Sequence, residues 1–225
     1  MSDVADFVRG TLGHEPRDLA LFERALTHSS VGPDSYERLE FLGDRVLGVA
    51  IARALYDRYP TEPEGKLSRR YNALVARETC AEVGRELGVP ALLRLGKQAR
   101  DDGANHSDNV IGDAVEALIG ALAIEAGADA AERFVVRAWR DYLEGQGRAP
   151  QHPKSALQEL AAARGCKAPE YELVARTGAH HAPRFTIRAA VKGLGEATAD
   201  GSSKQEAETA AAEALLSTLT NTRSA

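Results

Sequence analysis

The chain has 225 residues, 44% of them hydrophobic, enough to bury one large core or two modest ones without covalent staples. Its two cysteines, Cys80 and Cys166, are far apart and outside any paired ligand spacing, and no apolar run nears the roughly 18 residues of a membrane span, so neither a disulfide framework, a zinc site nor a membrane-spanning helix is indicated and a reducing cytoplasm is expected. The net charge of −5 speaks against a nucleic-acid binder only as an average: residues 1–149 carry 19 Lys+Arg against 25 Asp+Glu, and residues 150–225 carry 9 against 8.

In the front part apolar residues recur at spacings of three and four, as in Leu19, Phe22 and Leu26 and again in Leu39, Leu42, Val46 and Val49, which predicts a nearly all-helical domain. Residues 37–47 read as helix, and at 100° per residue Glu37, Glu40 and Asp44 share a stripe about 60° wide. Most such triplets are solvated faces. Here Phe41, Leu47 and Ile51 border the stripe while Leu39, Leu42 and Val46 cover the opposite side, so the helix is predicted to be mostly enclosed. Like charges four apart cost about 0.2–0.5 kcal/mol on an open helix and more when enclosed, so something positive should offset them.

A second helix, residues 107–126, carries Asp113 and Glu116 with no other charge between Asp108 and Glu125. Ala117 and Gly120 continue that face and admit a neighbouring backbone. Two helices offering Glu40, Asp44, Asp113 and Glu116 would supply the oxygen donors that a hard cation such as Mg²⁺ takes. Phosphodiester hydrolysis is the chemistry suited to such a site, and no small organic cofactor is required.

The stretch EGQGRAPQHP at 144–153 is the clearest seam, which places a first domain at 1–144, a linker at 145–153 and a second domain at 154–222. Beyond it the pattern predicts a helix at 155–164 stopped by Gly165 and strands at 171–176, 184–192 and 195–199. Gly201-Ser202-Ser203 then caps an Ala/Glu-rich helix reaching about Leu219, and residues 221–225 are expected to fray. This α-β-β-β-α tail has the polar first helix, the loop GAHHAP and the basic helix start that reading A-form RNA by shape requires.

The segment ERLEFLGDRVL at 37–47 together with NVIGDAVEALIGA at 109–121 resembles the ribonuclease III family. The segments Ala25-Leu26-Thr27-His28-Ser29-Ser30 and Pro63-Glu64-Gly65-Lys66-Leu67-Ser68 look like that family at matching positions, and the tail resembles its double-stranded RNA-binding domain, so the resemblance spans nearly the whole chain. It implies an all-α catalytic domain forming a helical homodimer, followed by an α+β RNA-binding domain. By position, Glu40, Asp44, Asp113 and Glu116 match metal-binding carboxylates, with Asp44 and Glu116 catalytic and activity depending most on Glu116. Glu37 and Glu64 match auxiliary acidic positions, and Phe41 lies at the dimer interface. Ser155, Gln158 and Glu159 match minor-groove contacts, His181 a second minor-groove probe, and Lys204 a phosphate clamp.

The implied activity is endonucleolytic cleavage of double-stranded RNA by metal-activated water, with Mg²⁺ or Mn²⁺, leaving 5′-phosphate and 3′-hydroxyl ends on ribosomal RNA precursors and other structured transcripts. A catalytically silent regulator that only binds double-stranded RNA is the rival reading, and a phosphohydrolase of small nucleotides leaves the tail unexplained. Two departures stand out. Gly112 replaces the family's usual alanine or serine, and Gln205 and Glu206 follow Lys204 where a second basic residue is usual. His28 and His106 are read as structural and solvent-exposed respectively.

Overall fold

The computed structural model describes residues 3–145, 152–178 and 183–221. The chain divides into two compact units, Met1–Pro150 and Gln151–Ala225.

In the first unit α1 (Asp3–Phe7) runs on as a π-helical turn to Leu12 and is ended by Gly13 in the left-handed region, φ 74°. Then come α2 (Leu19–Ala25), α3 (Glu37–Arg58), α4 (Glu64–Leu74), α5 (Arg77–Glu86), α6 (Lys97–Asp101), α7 (Asp108–Ala126), α8 (Ala128–Ala138) and α9 (Arg140–Glu144). The axis of the unit is α7, apolar nearly all round and buried from Val110 to Leu122 except at Asp113 and Glu116, with α3, α5 and α8 packed against it. Trp139, fully buried, donates its indole N–H to the Leu74 carbonyl at 2.9 Å and so ties the end of α8 to the end of α4. Arg70 is also buried: its guanidinium grips Glu62 through two 2.8 Å bonds and lies 3.8 Å from the centre of the Tyr59 ring, a clamp that holds α4 against the end of α3.

The expectation that α3 is enclosed on both flanks is corrected in part. Leu39, Leu47 and Ile51 are buried, but Phe41 is 65% and Val49 67% exposed. Helical periodicity marks a side chain as apolar without saying whether the same chain covers it.

The second unit contains α10 (Pro153–Ala163), β1 (Glu170–Thr177), β2 (Arg184–Val191), β3 (Gly195–Gly201) and α11 (Lys204–Asn221). The three strands are antiparallel in the order β1-β2-β3, with Ile187 facing Leu173 on one side and Ala199 on the other, and a register shift in β1 between Leu173 and Ala175. Ile187, Ala189 and Val191 turn inward against Leu157 and Ala161 of α10 and Ala207, Ala211, Ala212 and Leu215 of α11. Those alanines let α11 lie close on the sheet. At its start Ser203 Oγ accepts the Glu206 N–H at 3.1 Å while the Glu206 carboxylate accepts the Ser202 N–H at 2.8 Å, a reciprocal cap. Among the described residues no helix is long and apolar enough to cross a membrane.

Candidate active site and RNA-binding surfaces

Glu40 and Asp44 stand on α3, and between them lies Gly43 at the point where α3 touches α7. A Cβ on Gly43 would sit 1.6 Å from the Glu116 carbonyl oxygen, and one on Gly120 would sit 2.3 Å from the Leu39 carbonyl oxygen. The two backbones therefore meet directly, and this contact sets Glu40 and Asp44 beside Asp113 and Glu116.

Electrostatics record the crowding. Burial, and then the charges of Asp44, Asp113 and Glu40, push the Glu116 carboxyl up to about 8. Glu40 is raised by burial and then by Asp113, Glu37 and Asp44. Asp113 is raised by burial, against the opposing pull of the Tyr36 hydroxyl, Arg77 and His28. Beneath them the buried Cys80 thiol is pushed up to about 12 by desolvation and then by Glu116, Asp44 and Asp113, which keeps it neutral and unreactive. An all-oxygen set whose members oppose each other's ionisation fits a hard divalent cation.

The side chains are not yet gathered on one point. Asp44 pairs with Arg45, whose guanidinium lies 4.8 Å over the Phe41 ring, and Asp113 Oδ2 accepts the Tyr36 hydroxyl at 3.4 Å. Accordingly, among the described residues no three His, Cys, Asp or Glu side chains are already close enough to hold a metal ion. Glu37 is exposed next to Glu40. Glu64 opens α4, accepts the Ser68 hydroxyl and contributes to none of the shifts above, so it stands apart from the four. His28 is engaged with Ser30, and His106 is exposed beside Asn105.

On the second unit Ser155, Gln158 and Glu159 are exposed along α10, on the side away from the buried Leu157 and Ala161, and Lys204 is exposed at the start of α11. His181 lies outside the described residues. The Glu206 carboxyl, lowered by its bonds from Ser202, stays charged at that helix start. Glu208 pairs with Lys154 of α10 at 2.5 Å.

The sequence reading missed Gly43, Tyr36 and Arg45. A glycine between two acidic positions of a strong helix was the available signal for the first, since it costs helix propensity and must repay it in packing.

A family model described as Ribonuclease-III-like matches residues 18–142, and one described as Double-stranded RNA binding motif matches residues 153–219. The chain belongs to the ribonuclease III family. Among its curated relatives, Ribonuclease 3 of Zymomonas mobilis is 58% identical over 95% of this chain and 87% of its own length, and Ribonuclease 3 of Caulobacter vibrioides is 46% identical over 95% and 94%. Of solved structures, the nuclease domain of ribonuclease III from Campylobacter jejuni, described as flexible in the region involved in dimer formation, aligns with a TM-score of 0.59 at 30% identity, over 61% of this chain and 96% of that one. Like its ribonuclease III relatives this protein is a metal-dependent endoribonuclease that binds and cuts double-stranded RNA.

Proposed function

We propose that the first unit cuts both strands of a duplex at a Mg²⁺ centre held by Glu40, Asp44, Asp113 and Glu116, leaving 5′-phosphate and 3′-hydroxyl ends, with Mn²⁺ able to substitute. The observation that supports this most is the α3–α7 contact at Gly43, which brings two pairs of carboxylates together in a half-buried site where burial first, and then Asp44, Asp113 and Glu40, raise the Glu116 carboxyl to about 8. A divalent cation in place of the Glu116 proton turns repulsion into ligation. When bound, it acts as a Lewis acid toward the phosphodiester and makes water a nucleophile at neutral pH.

The chain's own groups have separable tasks. Asp44 and Glu116 would be the catalytic pair, and Asp44, paired here with Arg45, would have to exchange that partner to serve as a ligand. Glu37, beside Glu40, and Glu64, farther off at the start of α4, are auxiliary acids. Ser155, Gln158 and Glu159 enter one minor groove and His181 a second, while Lys204 and the N–H groups at the start of α11 receive a phosphate. The exposed face bearing Phe41 and Val49 pairs with a second copy, as in a helical homodimer. The domain limits that go with this reading are 1–144 and 154–222, joined by 145–153. Ribosomal precursors and other structured transcripts are the substrates, and the free Cys80 and Cys166 accord with the cytoplasm.

End-labelled duplex RNA incubated with Mg²⁺ or with chelator, beside Glu116→Gln, tests the site. Metal-dependent cutting by the parent and binding without cutting by the variant are expected. Undiminished cutting by Glu116→Gln would sink the assignment.

A further inference from the structure

The segment Ala25–Ser30 marks the family in sequence yet supplies none of the four carboxylates, and Tyr36 stands just before α3 with no assigned task. The structure joins them. Tyr36 is 3% exposed, and its hydroxyl donates to Asp113 Oδ2 at 3.4 Å. Among the described residues no hydrogen bond reaches Asp113 Oδ1, so the hydroxyl occupies one carboxylate oxygen and leaves the other available.

What fixes the phenol is that segment. The Tyr36 N–H donates to the Thr27 carbonyl at 2.9 Å, and its ring meets the His28 imidazole edge to face with centroids 5.7 Å apart. His28 Nδ1 accepts the Ser30 N–H at 3.1 Å and lies 2.8 Å from Ser30 Oγ, which in turn accepts the Gly96 N–H at 2.9 Å. The strand-like pairing of Thr27 with Arg94, with Arg94 N–H to Leu26 carbonyl at 2.8 Å and His28 N–H to Arg94 carbonyl at 3.0 Å, anchors the whole shelf to the chain before α6. Every link from Gly96 to Asp113 is thus a hydrogen bond or a ring contact.

We propose that Tyr36, held by the Thr27–Ser30 shelf, is a positioning residue that orients Asp113 for a divalent cation. The inference rests on the metal-centre reading above. Partners one step behind a metal ligand fix its orientation and restrict its freedom, and their loss commonly lowers metal affinity about 10–100-fold. A neutral donor at 3.4 Å belongs at the lower end of that range.

The test is isothermal titration of the full chain with Mn²⁺ for the parent, Tyr36→Phe and Glu116→Gln, with circular dichroism and duplex binding in chelator as controls for folding. Tyr36→Phe keeps the ring in place and should bind Mn²⁺ about tenfold more weakly, with unchanged duplex binding and with cutting restored by excess Mg²⁺. An affinity within twofold of the parent, in a folded Tyr36→Phe, overturns the inference and leaves the metal centre standing provided that Glu116→Gln loses affinity. Undiminished Mn²⁺ binding by Glu116→Gln overturns the centre itself and the inference with it. A second comparison does not depend on the stability of the single variant: in an Asp113→Ala background, where no side-chain oxygen remains to accept the hydroxyl, adding Tyr36→Phe should leave Mn²⁺ affinity unchanged if the hydroxyl acts through Asp113, and a further loss overturns that route.

Discussion

Gly43 of α3 and Glu116 of α7 touch backbone to backbone, so closely that any side chain at 43 would overlap the Glu116 carbonyl oxygen. Gly43→Ala must therefore push the helices apart. Overpacking of this kind costs about 1–3 kcal/mol, and backbone against backbone belongs at or above the top of that range. We expect a lowered urea midpoint together with weakened divalent-metal binding, because the same movement separates Glu40 and Asp44 from Asp113 and Glu116. A Gly43→Ala chain that kept both its stability and its metal affinity would mean that this contact does not set the site.

Gly112 gives the opposite expectation. A Cβ there would meet the Arg77 carbonyl oxygen and Cys80 Cβ at 3.5 Å, ordinary van der Waals contact, and the residue sits inside α7. Gly112→Ala should stabilise the protein by up to about 1 kcal/mol, the difference in helix propensity, without affecting metal binding. Thermal melts of the two glycine variants side by side would separate a glycine required by packing from one that is merely tolerated.

Glu116 makes stability depend on pH. Its folded carboxyl is raised from the ordinary 4.5 to about 8, so in the absence of divalent metal its favourable contribution is complete below about pH 4.5 and is lost as pH rises through 8. Glu40 and Asp113 are raised as well and act in the same direction. At 1.36 kcal/mol per pH unit of displacement, discounted for the solvent that reaches this half-buried group, about 2 kcal/mol is at stake. Metal-free Glu116→Gln should overtake the parent in melting temperature between pH 5 and 8.5, and adding Mg²⁺ should reverse the order at high pH. A difference independent of pH would show that Glu116 is not held protonated.

How much of this was legible in the chain depends on the kind of signal. Asp113 and Glu116 announce themselves because nothing else is charged along the apolar stretch they interrupt, and α11 is announced by Ser203 and the Glu206 that caps with it. Phe41 and Val49 carry the same apolar signal as Leu39 and Leu47, and only the fold shows that the first two lie open. Gly43 and Tyr36 were missed for a related reason. Their roles depend on what approaches them from α7, some 75 residues away, and no local pattern encodes that approach. Gly10 and Gly13 break the helical pattern that begins at Asp3, and the chain crosses the first in a π-helical turn before the second, at φ 74°, ends it.

The exposed face of α3 carries a test of assembly. Phe41, Val49 and Tyr56 are 65%, 67% and 72% exposed and, at spacings of eight and seven, lie along one side of the helix. Replacing an exposed side chain seldom changes a subunit's own stability by more than about 0.5 kcal/mol, whereas a phenyl ring buried between subunits contributes about 1.5–3 kcal/mol per copy. Phe41→Ala should therefore leave the circular dichroism unchanged yet raise the dimer dissociation constant by at least tenfold in analytical ultracentrifugation, and Phe41→Asp should do so more strongly. A dimer indifferent to both changes would move the interface away from this face.

The start of α11 offers one exposed lysine, Lys204, with Gln205 beside it and the charged Glu206 carboxylate turned back onto Ser202. A little further along, Glu208 is spent on Lys154. So lightly charged a clamp should bind duplex RNA with a shallow salt dependence, since each phosphate neutralised steepens the slope of log affinity against log salt by about 0.9. Gln205→Lys should raise affinity several-fold at low salt and steepen the slope by close to that amount, while Lys204→Ala should weaken binding and flatten it. Because Glu206 already caps the helix, Glu206→Gln adds no clamp residue and removes a charge that repels phosphate, so its gain should appear at low salt and fade as salt rises. Equal gains at low and high salt would mean that Glu206 acts through helix stability rather than charge.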